Sequence, residues 1–290
     1  MSDSLAGLRR KLDGARQLGS VVRAMKAISA SSIVQYEKAV AALGEYQHAV
    51  ELGLSLCLVD AGAFTVRPGA AGDSPTGALI FGSDQGLVGR FNDTIGDFAA
   101  DALRKLSGPK TVWVVGERAC PSLEAAGLTI TKRFAVPSSV AAITTLVTGI
   151  QVDLESYTAA NRYSEIHVFH SSPRAGARYE AASQRLLPLD AAWSKRLRGM
   201  SWPTARPAQV LGDRDSSLRA LIHEQLFIAL YRACAESLAS ENASRLEAMQ
   251  RAEDNIEKVS DELQQSLNRL RQGSIDEELF DVMAGFNALA

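Results

Sequence analysis

The first residues to examine are those that could bind a ligand. A glycine-rich loop, Gly82 to Gly89, joins a short apolar run to a helical pattern, where proteins often bind phosphate at a helix N-terminus. The loop lacks the Gly-Lys-Ser/Thr ending of a P-loop, and its glycines do not follow the G-x-G-x-x-G spacing of dinucleotide sites. The spacing therefore favours a structural turn over a phosphate site.

The histidines and cysteines do not form a metal-binding or catalytic pattern. His167 and His170 are three residues apart, a spacing that places them on opposite faces of a strand. Three scattered cysteines are typical of a reducing compartment and not of a disulfide framework. The cysteines are Cys57, Cys120 and Cys234.

An acidic group near the C-terminus could supply paired carboxylates. These acids follow Gly273-Ser274, and we interpret them as the start of a new helix, where carboxylates face the positive end of the helix dipole. The group consists of Asp276, Glu277, Glu278 and Asp281. The sequence therefore predicts no active site, no cofactor and no metal in this chain.

The composition sets broad limits on the class of protein. The chain has 290 residues and a net charge of −2, which allows one or two domains and implies no general affinity for nucleic acid. The first residues lack the apolar core of a secretory signal. No stretch reaches about 18 consecutive apolar residues, so membrane association is expected only through partners.

Two proline-free segments at the ends of the chain, called the arms here, are expected to position its functional residues. All nine prolines lie between Pro68 and Pro207, so the arms Ser4 to Leu58 and Asp213 to Leu289 are free to form long helices. Apolar residues recur in both arms at alternating spacings of three and four. This spacing is typical of a left-handed coiled coil. We therefore predict a long antiparallel coiled coil of the N- and C-terminal helices.

The predicted seam of the N-terminal arm is poorly apolar in one stretch. Gly19, Lys26 and Ser29 occupy positions where a purely structural coiled coil would carry leucine or isoleucine. We interpret this stretch as partly hydrated or as facing another protein.

The middle of the chain alternates between apolar strand patterns and helical patterns, which predicts an inserted, doubly wound, Rossmann-like α/β domain. The fold class is therefore α/β, with domains predicted at 1–60, 76–190 and 210–290. Linkers are expected at Ala61 to Pro75 and at Gly199 to Asp215. The predicted strands are Ala78 to Phe81, Thr111 to Val115, Thr129 to Ala135, Ile166 to His170 and Arg178 to Leu187. The predicted helices are Asn92 to Lys105, Glu117 to Ala126 and Ser138 to Tyr157.

The C-terminal arm carries the most distinctive pattern, because it holds more Asn, Ser and Arg than a bare coiled coil needs. We expect these residues to face outward, toward partners. The pattern consists of Ser240-Glu241, Ala243, Arg245, Ala248-Met249, Asn255, Arg271-Gln272, Ile275, Glu278, Gly285 and Ala288-Leu289.

Together with matching positions elsewhere, this pattern resembles the gamma chain of F-type ATP synthases, the central rotor shaft. The resemblance covers both arms and the insert in the family's order. The further matches are Arg23-Ala24-Met25 and Ala30-Ser31 in the first arm, and Ser83-Asp84, Gly86-Leu87, Gly89 and Asn92 in the insert.

Three positions depart from the family pattern. Asp276 replaces a threonine, Phe286 an alanine, and Arg90 a glycine. These departures suggest a divergent branch, such as the alternative bacterial ATPases, some of which are thought to move sodium.

The resemblance implies a non-catalytic rotor subunit that couples ion-driven rotation to conformational cycling of the catalytic beta subunits. The implied partners are three alpha and three beta subunits, the epsilon subunit and the membrane rotor ring of c subunits, with no nucleic acid. The implied place is the cytoplasmic face of the bacterial plasma membrane. The implied contacts with the catalytic subunits are Met25, Lys26, Arg271, Gln272, Asp276 and Glu278.

Two other functions remain open from the residues alone. The α/β insert could carry a small nucleotide-dependent enzyme, or the arms could form a general coiled-coil scaffold. Nucleotide binding by the purified chain would favour the enzyme. Purification without ATPase alpha and beta subunits would favour the scaffold.

Overall fold

The structure is a computed structural model that describes residues 4–59, 75–160, 165–174, 178–188, 191–204 and 208–289. The helices of these ranges are α1 Leu5–Val59, α2 Phe91–Arg104, α3 Cys120–Ala125, α4 Val140–Ala160, α5 Ala191–Arg198 and α6 Arg214–Leu289. The strands are β1 Thr76–Phe81, β2 Lys110–Val115, β3 Ile130–Phe134, β4 Glu165–Arg174 and β5 Arg178–Leu187. The predicted linker from Ala61 lies almost wholly outside the described residues.

The five strands form one sheet with the order β3-β2-β1-β4-β5. The first four strands are parallel to their neighbours, and β5 pairs antiparallel with β4 along the edge. All six residues of β1 are buried, as expected for a central parallel strand covered on both faces. The prediction of a doubly wound α/β insert is therefore confirmed.

Helices cover both faces of the sheet, because the side chains of β1 alternate between two apolar cores. Ala78 and Ile80 face one core, which includes residues of α2 and α3. Leu79 and Phe81 face the other core, which includes residues of α4 and the stretch Ala229 to Ala239 of α6. Part of the long C-terminal helix is thus a core element of the α/β fold.

The glycine-rich loop after β1 is held by hydrogen bonds within the chain. The carboxylate of Asp84 accepts the backbone N–H groups of Glu117 and Val136 at 2.9 and 2.7 Å. Asn92 accepts the N–H of Ser83 at 2.9 Å and donates to its hydroxyl at 2.8 Å. The loop residues that match the family are therefore used internally, in agreement with the prediction of a structural turn.

The distinctive polar residues at the start of the C-terminal pattern are buried, which corrects the expectation that they face outward. Ser240 and Ser244 are 0% and 5% exposed. Their hydroxyls donate to the backbone carbonyls of Ser171 and Val88 at 3.0 and 2.6 Å. Because strand ends and loops present carbonyls that α6 covers, a polar helix face is needed there.

A third apolar cluster joins the end of α1 to the start of α6. Leu54 and Leu218 pack in it together with Leu197 of α5, a helix that sequence analysis missed. Close by, the Tyr46 hydroxyl donates to Glu224 at 2.6 Å. This region shows the two long helices running antiparallel, as predicted.

The chain divides into two compact units, Ala30–Ser244 and the pair of segments Met1–Ser29 and Arg245–Ala290. The first unit contains the sheet and its cores, and the second is a two-helix coiled coil. The domain boundaries expected from sequence stay a prediction. A search of the described helices finds none that is long and apolar enough to cross a membrane.

Candidate functional site

The candidate site is the surface of the two-helix coiled coil formed by residues 5–29 and 245–289. The residues predicted to contact catalytic subunits fall into two groups on it. Met25 and Lys26 are half-buried on α1, whereas Arg271, Gln272, Asp276 and Glu278 are all exposed on α6. The structure does not bring the two groups together.

The Lys26 side chain forms a polar contact between α1 and α6. Its Nζ lies 2.5 Å from Oε2 of Glu253 and 2.8 Å from Oε1 of Gln250. The Glu253 side chain is only 11% exposed, so this ion pair is partly shielded from water. Eighteen residues separate Glu253 from Arg271, which places Arg271 about 27 Å further along α6.

An apolar stripe on α1 surrounds Met25, and sequence analysis missed it. Leu18, Val21 and Ile28 are 61%, 55% and 65% exposed. Their spacings of three and seven place them on one side of the helix, with Met25 between Val21 and Ile28. This second periodic pattern is visible in the sequence, but it runs beside the seam that dominates the same residues. A contiguous stripe is typical of a protein contact, unlike single exposed apolar residues.

The seam of the coiled coil is packed where the sequence predicted hydration. Ser29 is 1% exposed, and Ala15 and Gly19 are also buried. A Cβ added at Gly19 would lie 3.5 Å from Ile256, an ordinary contact distance, so the glycine is not sterically required. Small residues allow these helices to approach closely, and the expectation of a hydrated seam at Ser29 is wrong.

A groove of about 280 Å³ lies between the helices next to this small-residue stretch. Arg16 and Arg23 line it from α1, and Glu257 and Asp261 line it from α6. The groove therefore has basic groups on one wall and acidic groups on the other, which does not favour a ligand of either charge.

The end of α6 extends past the start of α1. Lys26 meets Glu253, so Leu5, 21 residues before Lys26, lies level with about residue 274, 21 residues after Glu253. The helix continues through Gly273, which corrects the expectation of a new helix there.

The tail of α6, defined as residues 275–289, carries several apolar side chains that are largely exposed. Phe280 and Val282 are 68% and 70% exposed, and Ile275, Leu279 and Met283 are each more than half exposed. An exposed apolar cluster of this kind marks a contact with another protein.

The described residues offer no site for a metal. No group of three or more His, Cys, Asp or Glu side chains within the described ranges could hold an ion. His170 instead forms a short contact with Glu236, at 3.1 Å between Nε2 and Oε2. Burial raises the pKa of Glu236, but the hydrogen bond and charge of His170, the hydrogen bond from Ser172 and the charge of Arg232 together lower it by more, so the net pKa is below its ordinary value.

Comparison with known proteins identifies the family. A family model described as ATP synthase matches residues 4–289. An ATP synthase gamma chain from Frankia casuarinae is 27% identical over 301 residues, covering 100% of this chain and 99% of that relative.

Two solved structures share the fold at low sequence identity. The rotor of the Euglena gracilis mitochondrial ATP synthase matches with a TM-score of 0.58 at 13% identity, covering 93% of this chain and 98% of that one. The central stalk and c-ring structure of the Tetrahymena thermophila mitochondrial ATP synthase matches with a TM-score of 0.56 at 18% identity, covering 80% and 99%. With the family model spanning nearly every residue, the chain belongs to the ATP synthase family, and it resembles a gamma chain over its whole length.

Proposed function

We propose that this chain is the non-catalytic rotor subunit in the central stalk of an F-type ATP synthase. The observation that carries the proposal is the two-helix coiled coil with an apolar tail on α6 and an apolar stripe on α1. A coiled coil that only held its own helices together would not need apolar residues on its outside. The full-length similarity to a gamma chain supports the same function.

The mechanism follows from the asymmetry of this surface. The coiled coil stands inside a ring of three alpha and three beta subunits, and ion flow through the membrane ring turns it. The stripe lies on one side of α1 only, so each beta subunit meets a different surface at any moment. Contacts that differ between conformations shift the populations of those conformations, and rotation therefore moves each catalytic site through its states.

Two groups of residues contact the catalytic subunits in this proposal. Met25 does so directly, as part of the stripe. Lys26 acts from behind it, because its charge is paired with Glu253. Further along α6, the exposed side chains provide charged and hydrogen-bonding contacts. These side chains are Arg271, Gln272, Asp276 and Glu278.

The unit that contains the sheet faces the other rotor subunits. We place it against the epsilon subunit and the ring of c subunits, on the cytoplasmic face of a bacterial plasma membrane. Association with the membrane then depends on the ring, in keeping with the absence of a spanning helix from the described part of the chain.

The test combines Arg271→Ala with Gln272→Ala in the assembled complex. Both side chains are exposed and make no packing contact that folding needs, so the complex should assemble. ATP turnover should fall about tenfold, because one or two charge-assisted or amide hydrogen bonds to the catalytic subunits are lost. The measurement is ATP hydrolysis per complex at saturating ATP.

The matched control is Arg219→Ala, which removes another exposed arginine from α6 in the unit that contains the sheet. Turnover in this control should stay within twofold of the wild type. Wild-type turnover in the double variant would show that these two residues do not contact the catalytic subunits.

A further inference from the structure

A groove of about 560 Å³ lies beside the edge strand β5, within the unit Ala30–Ser244. Its lining includes the four consecutive residues Ser183 to Leu186, together with Trp193 of α5 and Gln225 of α6. Its volume is within the range of sites that bind small molecules or peptide side chains. None of these residues belongs to the coiled-coil surface described above.

The groove follows the open edge of the sheet. Successive side chains of a strand point to opposite faces, so a cavity lined by four consecutive residues of β5 reaches the edge of that strand. His167 of β4 lines the same cavity from the sheet. Among the described strands, β5 is the last of the sheet and pairs only with β4. The backbone groups of β5 that do not face β4 therefore border the groove, which extends about 13 Å along four residues.

Two polar groups in the groove, on Gln225 and Arg185, lack partners within the described chain. Oε1 of Gln225 is buried and accepts no hydrogen bond there. The guanidinium of Arg185 is exposed, and among the described residues it forms neither an ion pair nor a hydrogen bond. A buried acceptor without a donor is costly, so a bound N–H group would stabilise this site. A carboxylate beside Arg185 would complement its charge.

We propose that this groove binds an extended segment of a partner protein, which adds a short strand along β5. The segment places an acidic side chain beside Arg185, an N–H donor at Gln225 and an apolar side chain against Trp193. This mode of binding uses backbone hydrogen bonds for affinity and side-chain pockets for specificity. The inference rests on the proposed function in one respect: the expected partner is another subunit of the same complex.

The shape of the site favours a peptide over a compact ligand. The polar groups are spread along the strand, whereas a small molecule is usually held by groups that converge on one point. The pairing of β4 with β5 shifts register between Ile166 and His167. Such a bulge interrupts regular pairing at the edge, so the added strand is short, about four residues.

Photo-crosslinking in the assembled complex tests this proposal. Ser183→Cys places a thiol in the groove, where benzophenone maleimide can label it. The native thiols of Cys57, Cys120 and Cys234 are at most 5% exposed, so the new cysteine is the reactive one. After irradiation, mass spectrometry identifies the crosslinked peptide. We expect one segment of another subunit, containing Asp or Glu.

Two controls make the result specific. Ser107→Cys, at an exposed serine between α2 and β2, should not crosslink to that segment. In the Ser183→Cys background, Arg185→Glu should lower the crosslink yield at least fivefold, and Arg185→Lys should keep most of it.

The outcomes separate the two proposals. If the wild-type chain does not purify with alpha and beta subunits, both proposals are wrong. If the complex forms but Ser183→Cys crosslinks only within its own chain, or to the same segments as Ser107→Cys, the groove proposal alone is wrong. An unchanged yield with Arg185→Glu would also overturn it.

Discussion

At the scale of single residues, Lys26 has a partner within the chain that its sequence position does not reveal. The resemblance to the gamma chain implied a contact between Lys26 and a catalytic subunit. The structure pairs it with Glu253 on the facing helix. The spacing of residues within α1 could not reveal this partner. The sequence of one helix does not determine which residue of a distant helix lies opposite a given position. The exposed neighbours of Met25 are therefore better candidates for direct contact.

Lys26→Met should destabilise the coiled coil of the isolated chain by about 1–3 kcal/mol, because the Glu253 carboxylate would stay partly buried without its cation. Urea unfolding followed by circular dichroism measures the loss. Adding Glu253→Met should recover most of it, since a buried ion pair can be replaced by apolar side chains at little cost.

Arg16→Met is the matched control for this change. Its pair with Asp13 is exposed on both sides at 3.8 Å, and such pairs contribute less than about 1 kcal/mol. Equal unfolding curves for Lys26→Met and the wild type would contradict the assigned role of the Lys26–Glu253 pair.

Glu236 should make the stability of the sheet unit depend on pH. Burial raises its pKa, but His170, Ser172 and the charge of Arg232 together lower the pKa by more. The folded-state pKa is thus below the unfolded value of about 4.3. The stabilisation is present above that value and is lost as the pH falls through the folded-state pKa.

The variant Glu236→Gln should therefore be less stable than the wild type at pH 6, and this difference should shrink as the pH is lowered toward 3. Urea unfolding of both proteins at several pH values measures the difference. An exposed carboxylate, replaced in Glu257→Gln, serves as the control and should show little difference at any pH. A constant gap between Glu236→Gln and the wild type would contradict the pKa argument.

At the scale of elements, the long helices were predictable because proline is absent and apolar residues recur at a fixed period. The strands β1, β2 and β4 were predictable because each contains a short apolar run bounded by turn residues. The burial of the polar serines in α6 was not predictable. Periodicity shows which residues share one face of a helix, but not which part of the protein packs on that face. Ser240 and Ser244 donate hydrogen bonds to backbone carbonyls of β4 and of the loop after β1. The sequence of the helix does not indicate such partners. The short helix α5 also lacked a periodic signal.

The tail of α6 should contribute little to folding and much to assembly. A chain ending at Gly273 lacks Ile275, Leu279, Phe280, Val282 and Met283, whose side chains are each more than half exposed. Its free energy of unfolding should change by less than about 0.5 kcal/mol. Its affinity for the alpha and beta subunits should fall at least tenfold, as measured in reconstitution titrations.

The contrasting truncation removes apolar seam residues as well. A chain ending at Asn255 loses Ile256 and the rest of the seam and should be measurably less stable. If the chain ending at Gly273 is equally destabilised, the tail packs within the chain and its assigned role is wrong.

At the scale of the whole molecule, the resemblance to the gamma chain was accessible from sequence because its matches occur in order along both arms and the insert. The comparisons confirm it over nearly the full chain. Composition alone would have left the enzyme and the scaffold as open alternatives. The groove beside β5 could not be foreseen, because its residues come from four elements that the sequence does not place together.

The two units should differ in local stability. The sheet unit contains three apolar clusters, whereas the coiled coil is held by a single seam. In the isolated chain, amides of β1 and β2 should exchange hydrogen at least about 100-fold more slowly than amides of the α6 tail. Assembly with alpha and beta subunits should slow hydrogen exchange in the α6 tail and leave the exchange rates of the strands unchanged. Uniform exchange rates would contradict this division.

Because α6 is one continuous helix, few insertions or deletions of residues within it should be tolerated. One helix serves first as a core element beneath the sheet and then as half of a coiled coil, with no proline along its 76 residues. Each inserted residue would turn all later side chains by about 100° around the axis. A single-codon insertion after Met249, within the coiled coil, would therefore turn the later seam residues away from α1. Insertions and deletions in this helix should be tolerated only as whole heptads matched by equal changes in α1, whereas the surface turns of the sheet unit can vary one residue at a time.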